Sequence, residues 1–124
     1  MDHEYSISGK LWVDDAETVL SGFGSQEYAV GDIVFRLLVD TAKEISLVLK
    51  DKSLAMTISD EKIAVCCAEL SRRFACRVRM EKLHEEYGNA NVFNGGSDYE
   101  VVCADRFVCE FLNGKEVCRT KETF

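Results

Sequence analysis

"QEYAVGDIVFRLLVDTAKE", residues Gln26 to Glu44, decides the fold of this 124-residue chain, and it reads two ways. Val30, Ile33, Val34, Leu37, Leu38 and Ala42 recur at helical spacing with Asp32, Arg36, Asp40 and Lys43 opposite, which predicts an amphipathic helix. Gly31 and the β-branched residues also suit a strand, in which Ile33, Phe35, Leu37 and Val39 would share a face. The helical reading is adopted here, with the strand as its alternative.

Upstream, "YSISGKLWV" alternates, with Ile7, Gly9, Leu11 and Val13 on one face, and predicts a half-buried strand. Asp14 and Asp15 end it and cap a short helix with Val19, Leu20 and Phe23 inward, and "GFGS" stops that helix. Downstream, Ile45 to Leu49 and Leu54 to Ile58 read as two strands around the polar turn "KDKS". Ser59 caps a helix that runs to about Phe74, with Asp60 and Glu61 favouring the positive end of its dipole. Ile63, Cys66, Cys67, Leu70 and Phe74 form its apolar stripe. The period then changes to two, with Cys76, Val78 and Met80 inward and Arg77, Arg79 and Glu81 outward.

"YGNANVFNGG" predicts a turn region with a short strand at Ala90 to Phe93. The remainder reads as a β-meander in which "CADR" links two strands and Asn113-Gly114 makes a type I′ turn. The expected fold is a single α+β domain over residues 1–124. It is ferredoxin-like, β-α-β-β-α-β, with additional C-terminal antiparallel strands and one layer of two helices on an antiparallel sheet.

The charge is unevenly placed. The chain carries 15 Lys and Arg against 22 Asp and Glu, for a net charge of −7. From Met1 to Asp32 there are seven acids and a single base, Lys10. Such a field disfavours direct nucleic-acid binding and favours a basic protein surface as partner. The candidate partner-binding residues are Asp14, Asp15, Glu17, Glu27 and Asp32, with Trp12 as an aromatic anchor. Arg72, Arg73, Arg77 and Arg79 are the one local basic cluster. No apolar run reaches the length of a membrane span, and "MDHEYSISGK" lacks the layout of a signal peptide, so a cytoplasmic protein is expected.

The six cysteines are Cys66, Cys67, Cys76, Cys103, Cys109 and Cys118. A reducing compartment argues against disulfides. No Cys-x(2–4)-Cys knuckle occurs, and neither His3 nor His84 stands near a cysteine at ligand spacing, so no metal site, cofactor or catalytic residue is expected. The cysteines are read as small core residues. A thiol nucleophile among Cys66, Cys67 and Cys76, served by His84, is the enzymatic alternative.

The helix end "LSRRF" (Leu70 to Phe74), the strand "RVRMEKLHEEYGNA" and the hairpin "VFNGG" resemble YubB-type ferredoxin-like domains of plasmids and phages over Ser59 to Glu100. The resemblance implies the fold and a mobile-element origin; it carries no activity. The expected function is therefore a small, acidic, non-enzymatic interaction protein. Its sharpest form is a phage- or plasmid-encoded inhibitor, of anti-CRISPR or DNA-mimic type, that docks on a host nucleic-acid-binding protein. A thiol-dependent enzyme and a subunit of a homo-oligomer, such as a homodimer, are the alternatives.

Overall fold

The computed structural model describes the backbone of residues 2–90 and 98–124, and the side chains of residues 3–87 and 104–124. In chain order the elements are β1 (Asp2–Trp12), α1 (Ala16–Phe23), β2 (Glu27–Val30), β3 (Ile33–Thr41), β4 (Glu44–Leu49), a 3-10 turn (Lys52–Leu54), α2 (Asp60–Arg73), β5 (Arg77–Ala90), β6 (Asp98–Leu112) and β7 (Lys115–Thr123). All seven strands form one sheet in the order β2-β3-β4-β1-β5-β6-β7, and every neighbouring pair is antiparallel. The α+β class holds, with a sheet larger than the sequence suggested.

The stretch from Gln26 to Glu44 is not a helix. It is a hairpin, β2 and β3, that turns at Gly31, where φ is 62°. The winning signal is the period of two. Ile33, Phe35 and Leu37 are buried while Arg36 and Leu38 face water. Phe35 and Leu37 lie opposite Leu49 and Leu47 of β4, so alternation satisfies both strands at once. A helix would have turned Leu38 inward as well; in the sheet it is 47% exposed.

The expected strand at Leu54 to Ile58 is also absent. Asp51 accepts from the Ser53 backbone N–H at 3.1 Å and the Ser53 hydroxyl at 2.6 Å, which winds the chain into the 3-10 turn. "CADR" does not interrupt the meander either. β6 runs straight through it, and a register shift opposite His84 and Glu85 absorbs the irregularity. The expected strand at Ala90 to Phe93 lies almost wholly outside the described residues.

α2 covers the middle of one sheet face. Ser59 caps it by accepting from Lys62 N–H at 3.2 Å, as read from sequence. Its buried apolar residues, Ile63, Ala64, Cys66, Cys67 and Leu70, join Ile7, Leu11, Val78, Met80 and Cys109 of the sheet in one apolar core. Gly9 of β1 lets this core close: a Cβ there would stand 2.9 Å from the Arg79 carbonyl oxygen and from Leu47 Cδ1. At the helix's far end Ser71 Oγ accepts from Gly114 N–H at 2.9 Å, tying α2 to the β6–β7 turn. That turn has Asn113 and Gly114 at φ 50° and 84°, the type I′ geometry expected from Asn-Gly. β7 closes one edge of the sheet, and all nine of its residues are exposed. Among the described residues no helix is long and apolar enough to cross a membrane.

Candidate functional site

Two polar regions stand out. The first is the end of the sheet where β1 runs into α1. Val13 N–H donates to the Lys43 carbonyl at 2.9 Å and Ala16 N–H to the Ala42 carbonyl at 2.8 Å, so this junction is fastened to the β3–β4 turn. Asp14, Asp15 and Glu17 therefore lie at the same end of the sheet as Asp40 and Glu44. Lys10 links the latter two, at 3.3 Å from Asp40 and 2.9 Å from Glu44, and they hold its ammonium charged above the usual lysine range. Asp15 also has a structural role. Its carboxylate caps α1 by accepting from Thr18 N–H at 3.2 Å and Thr18 Oγ1 at 2.9 Å, which holds it below the usual aspartate range. Glu17 edges a cleft of about 450 Å³ with Leu20 and Val39 in its lining, and Val39 is 43% exposed.

The other predicted docking residues are dispersed. Trp12 is half-buried with the Arg77 guanidinium 4.1 Å above its ring centre. Glu27 pairs with Lys50 at 2.9 Å. Asp32 lies in the β2–β3 turn, the full length of β3 away from the acidic end, roughly 26 Å at ~3.3 Å per residue. The basic cluster divides in the same way. Arg72 and Arg73 lie on α2, the first paired with Glu69 and the second 5.1 Å from the Phe23 ring centre. Arg77 and Arg79 point to the sheet face opposite the helix.

The second region was missed by sequence reasoning, because its parts are 81 residues apart. Beyond the N-terminus of α2, on the same face of the sheet, β1 and β5 bring His3 and His84 together. His3 Nδ1 is 2.9 Å from His84 Nε2. The other ring nitrogen of His84, Nδ1, is 3.1 Å from Asp105 Oδ2, and the Tyr5 ring lies parallel to His84 with centres 4.3 Å apart. His84 is only 8% exposed. Glu86, two residues on and on the same face, comes within 3.7 Å of His3 Nδ1. Burial alone would raise Asp105, but the hydrogen bond to His84 and the Lys121 ammonium outweigh it and hold the carboxyl below its usual range. His3, His84 and Glu86 each offer a ligand atom, all within 4.8 Å of one another, so they are residues that could hold a metal ion. The only sequence-level hint was His84-x-Glu86 on a strand, which places both side chains on one face.

Four of the cysteines behave as core residues, and Cys118, on the exposed strand β7, does not. Cys66, Cys67, Cys76 and Cys109 are buried and Cys118 is exposed; Cys103 lies outside the described side chains. Burial pushes the Cys66 and Cys76 thiols up to about 11. The neighbouring Cys109 thiol and burial together push Cys67 up as well, and its Sγ donates to the Val78 carbonyl at 3.3 Å. From Val78 to His84 is roughly 20 Å of strand at ~3.3 Å per residue, which keeps the imidazole away from that thiol.

No protein-family model, curated protein or solved structure matches the chain.

Proposed function

We propose that this is a small, acidic, non-enzymatic interaction protein that docks on a basic protein surface. In its sharpest form it is an inhibitor of anti-CRISPR or DNA-mimic type, carried by a phage or plasmid, acting on a nucleic-acid-binding protein. One observation carries the reading: Asp14, Asp15 and Glu17 lie at the same end of the sheet as Asp40 and Glu44, and Glu17 edges the cleft that has Val39 in its lining. An exposed apolar residue near acidic ones suits a docking surface, and an excess of one sign steers a partner of the other. The burial of Cys66 and Cys76, which pushes both thiols up to about 11, favours this reading over a thiol-dependent enzyme.

The strand order supports a ferredoxin-like centre. β1 lies between β4 and β5, and β4 lies between β3 and β1, the arrangement of two interlocked split β-α-β units with α1 and α2 as crossovers. β2, β6 and β7 then extend it at both edges. The likeness of residues 59–100 to YubB-type domains supports the mobile-element origin.

The test is a binding titration, in rising salt, against the partner recovered by pull-down from the host. Affinity falls as salt rises, and reversing Asp14, Asp15 and Glu17 to lysine lowers it by about tenfold or more at low salt. Affinity that ignores both salt and charge reversal ends the acidic-docking reading.

A further inference from the structure

The histidine cluster lies outside the acidic end and is not used by the docking reading. We propose that His3 Nδ1, His84 Nε2 and a carboxylate oxygen of Glu86 form a binding site for a divalent first-row transition metal, with zinc the best fit.

Sheet geometry builds the set. His84 and Glu86 are two residues apart on β5 and share a face, and His3 of β1 is the direct cross-strand partner of Glu86. His3 also reaches diagonally to His84. Zinc holds imidazole nitrogens and carboxylate oxygens at about 2.0–2.2 Å, so tetrahedral ligand atoms stand roughly 3.3–3.5 Å apart. The distances from His3 Nδ1, 2.9 Å to His84 and 3.7 Å to Glu86, bracket that spacing. The third pair, His84 with Glu86, lies within 4.8 Å, and the set closes by movement of the exposed His3 and half-exposed Glu86 side chains.

Asp105 supplies the second observation. A carboxylate at 3.1 Å from His84 Nδ1 keeps the proton on that nitrogen and turns the Nε2 lone pair toward His3 and Glu86. This is the carboxylate–histidine–metal relay that orients ligating histidines and raises their basicity. The stacked Tyr5 ring fixes the imidazole plane. With the His84 proton on Nδ1, His3 Nδ1 is the donor to His84 Nε2, and metal binding requires that proton to move to the other ring nitrogen of His3. Two imidazoles and a single carboxylate suit zinc, copper, nickel or iron, and they fall short of the six oxygens that calcium or magnesium would need. His3 and Glu86 border solvent, which leaves a fourth position for water or a partner's ligand.

The experiment titrates Zn²⁺ into the full untagged chain in competition with a chromophoric chelator, and records the visible spectrum of the Co²⁺ form. We expect one zinc per chain and a cobalt spectrum without a thiolate charge-transfer band. His3→Gln and Glu86→Gln each weaken zinc binding by about tenfold or more, and Asp105→Asn by about tenfold. Thermal unfolding of metal-free H3Q and E86Q stays at the wild-type temperature, which separates lost ligands from lost fold. Absence of binding, affinity unchanged in H3Q and E86Q, or a thiolate band that places the metal on cysteines would each overturn the site.

Discussion

One sheet face carries two regions of opposite character. Under α2, Leu11, Val78, Met80 and Cys109 face a helix and are fully buried. A few residues further along the same strands, Tyr5, His84 and Asp105 face the same way but lie beyond Ser59, where the helix begins. The alternation of the strands is identical in both places. What differs is the cover. Beneath the helix a polar side chain would lose water without a partner, so small apolar residues and thiols fill the space. Past the helix, the face is only partly shielded, and side chains with hydrogen-bonding ability collect there and satisfy one another. Inward-facing positions on a strand are therefore apolar only as far as the next layer reaches.

Reactivity of the thiols tests the contrast most severely. Thiol labelling of the native protein, read position by position by peptide mapping, should modify Cys118 rapidly. Cys66, Cys67, Cys76 and Cys109 should label slower by about a thousandfold or more, since each needs an opening that costs a large part of the ~5–15 kcal/mol stability of a domain. Fast labelling at Cys66 or Cys67 would show that the helix does not seal its region. Next in size is the energetic contrast. Met80→Ala, at a site of 0% exposure, should cost about 2–5 kcal/mol in denaturant unfolding, whereas His3→Gln should stay within about 0.5 kcal/mol. Equal costs would erase the boundary.

The smallest effect concerns the boundary itself. Lys121 reaches Asp60 of α2 at 3.0 Å and Asp105 at 3.5 Å, and the hydrogen bond to Asp60 holds its ammonium above the usual lysine range. A raised folded-state value means that this link is fully present below the ordinary lysine range and is lost as pH rises through the raised one. Thermal unfolding from neutral to strongly alkaline pH should thus show a small extra loss in the wild type that Lys121→Met lacks. The same alkaline slope in both proteins would remove Lys121 from the boundary.

Much of the local structure was legible. The Ser59 cap, the Cys66 and Leu70 stripe, the Asp15 cap, the strand after Cys76 and the Asn113-Gly114 turn all rest on signals contained in a few residues, and the structure bears them out. Gln26 to Glu44 failed because Val30, Ile33, Val34, Leu37 and Leu38 fit the helical period while Ile33, Phe35, Leu37 and Val39 fit a period of two, and the arbiter was the pairing of β3 with β4, which lies outside that stretch. The candidate docking residues were found by charge alone. Charge alone could not show that Asp14, Asp15 and Glu17 lie at the same end of the sheet as Asp40 and Glu44, placed there by the β3–β4 turn, while Asp32 lies at the far end of β3. The histidine pair was invisible for the same reason: it exists only once β1 and β5 are side by side.

That β1 sits in the centre of the sheet also sets a timetable. It leaves the ribosome before both of its partners, β4 and β5, and the second of these is complete only at Ala90. At ~5–20 residues per second the edge of β1 that pairs with β5 waits roughly 4 to 16 seconds for its partner. The hairpin of β3 and β4 forms from local sequence and is the natural template for β1. Synthesis that stalls between Leu49 and Arg77 would leave a half-built sheet with β1's far edge open, the stage at which this chain is most exposed to aggregation and most in need of a chaperone.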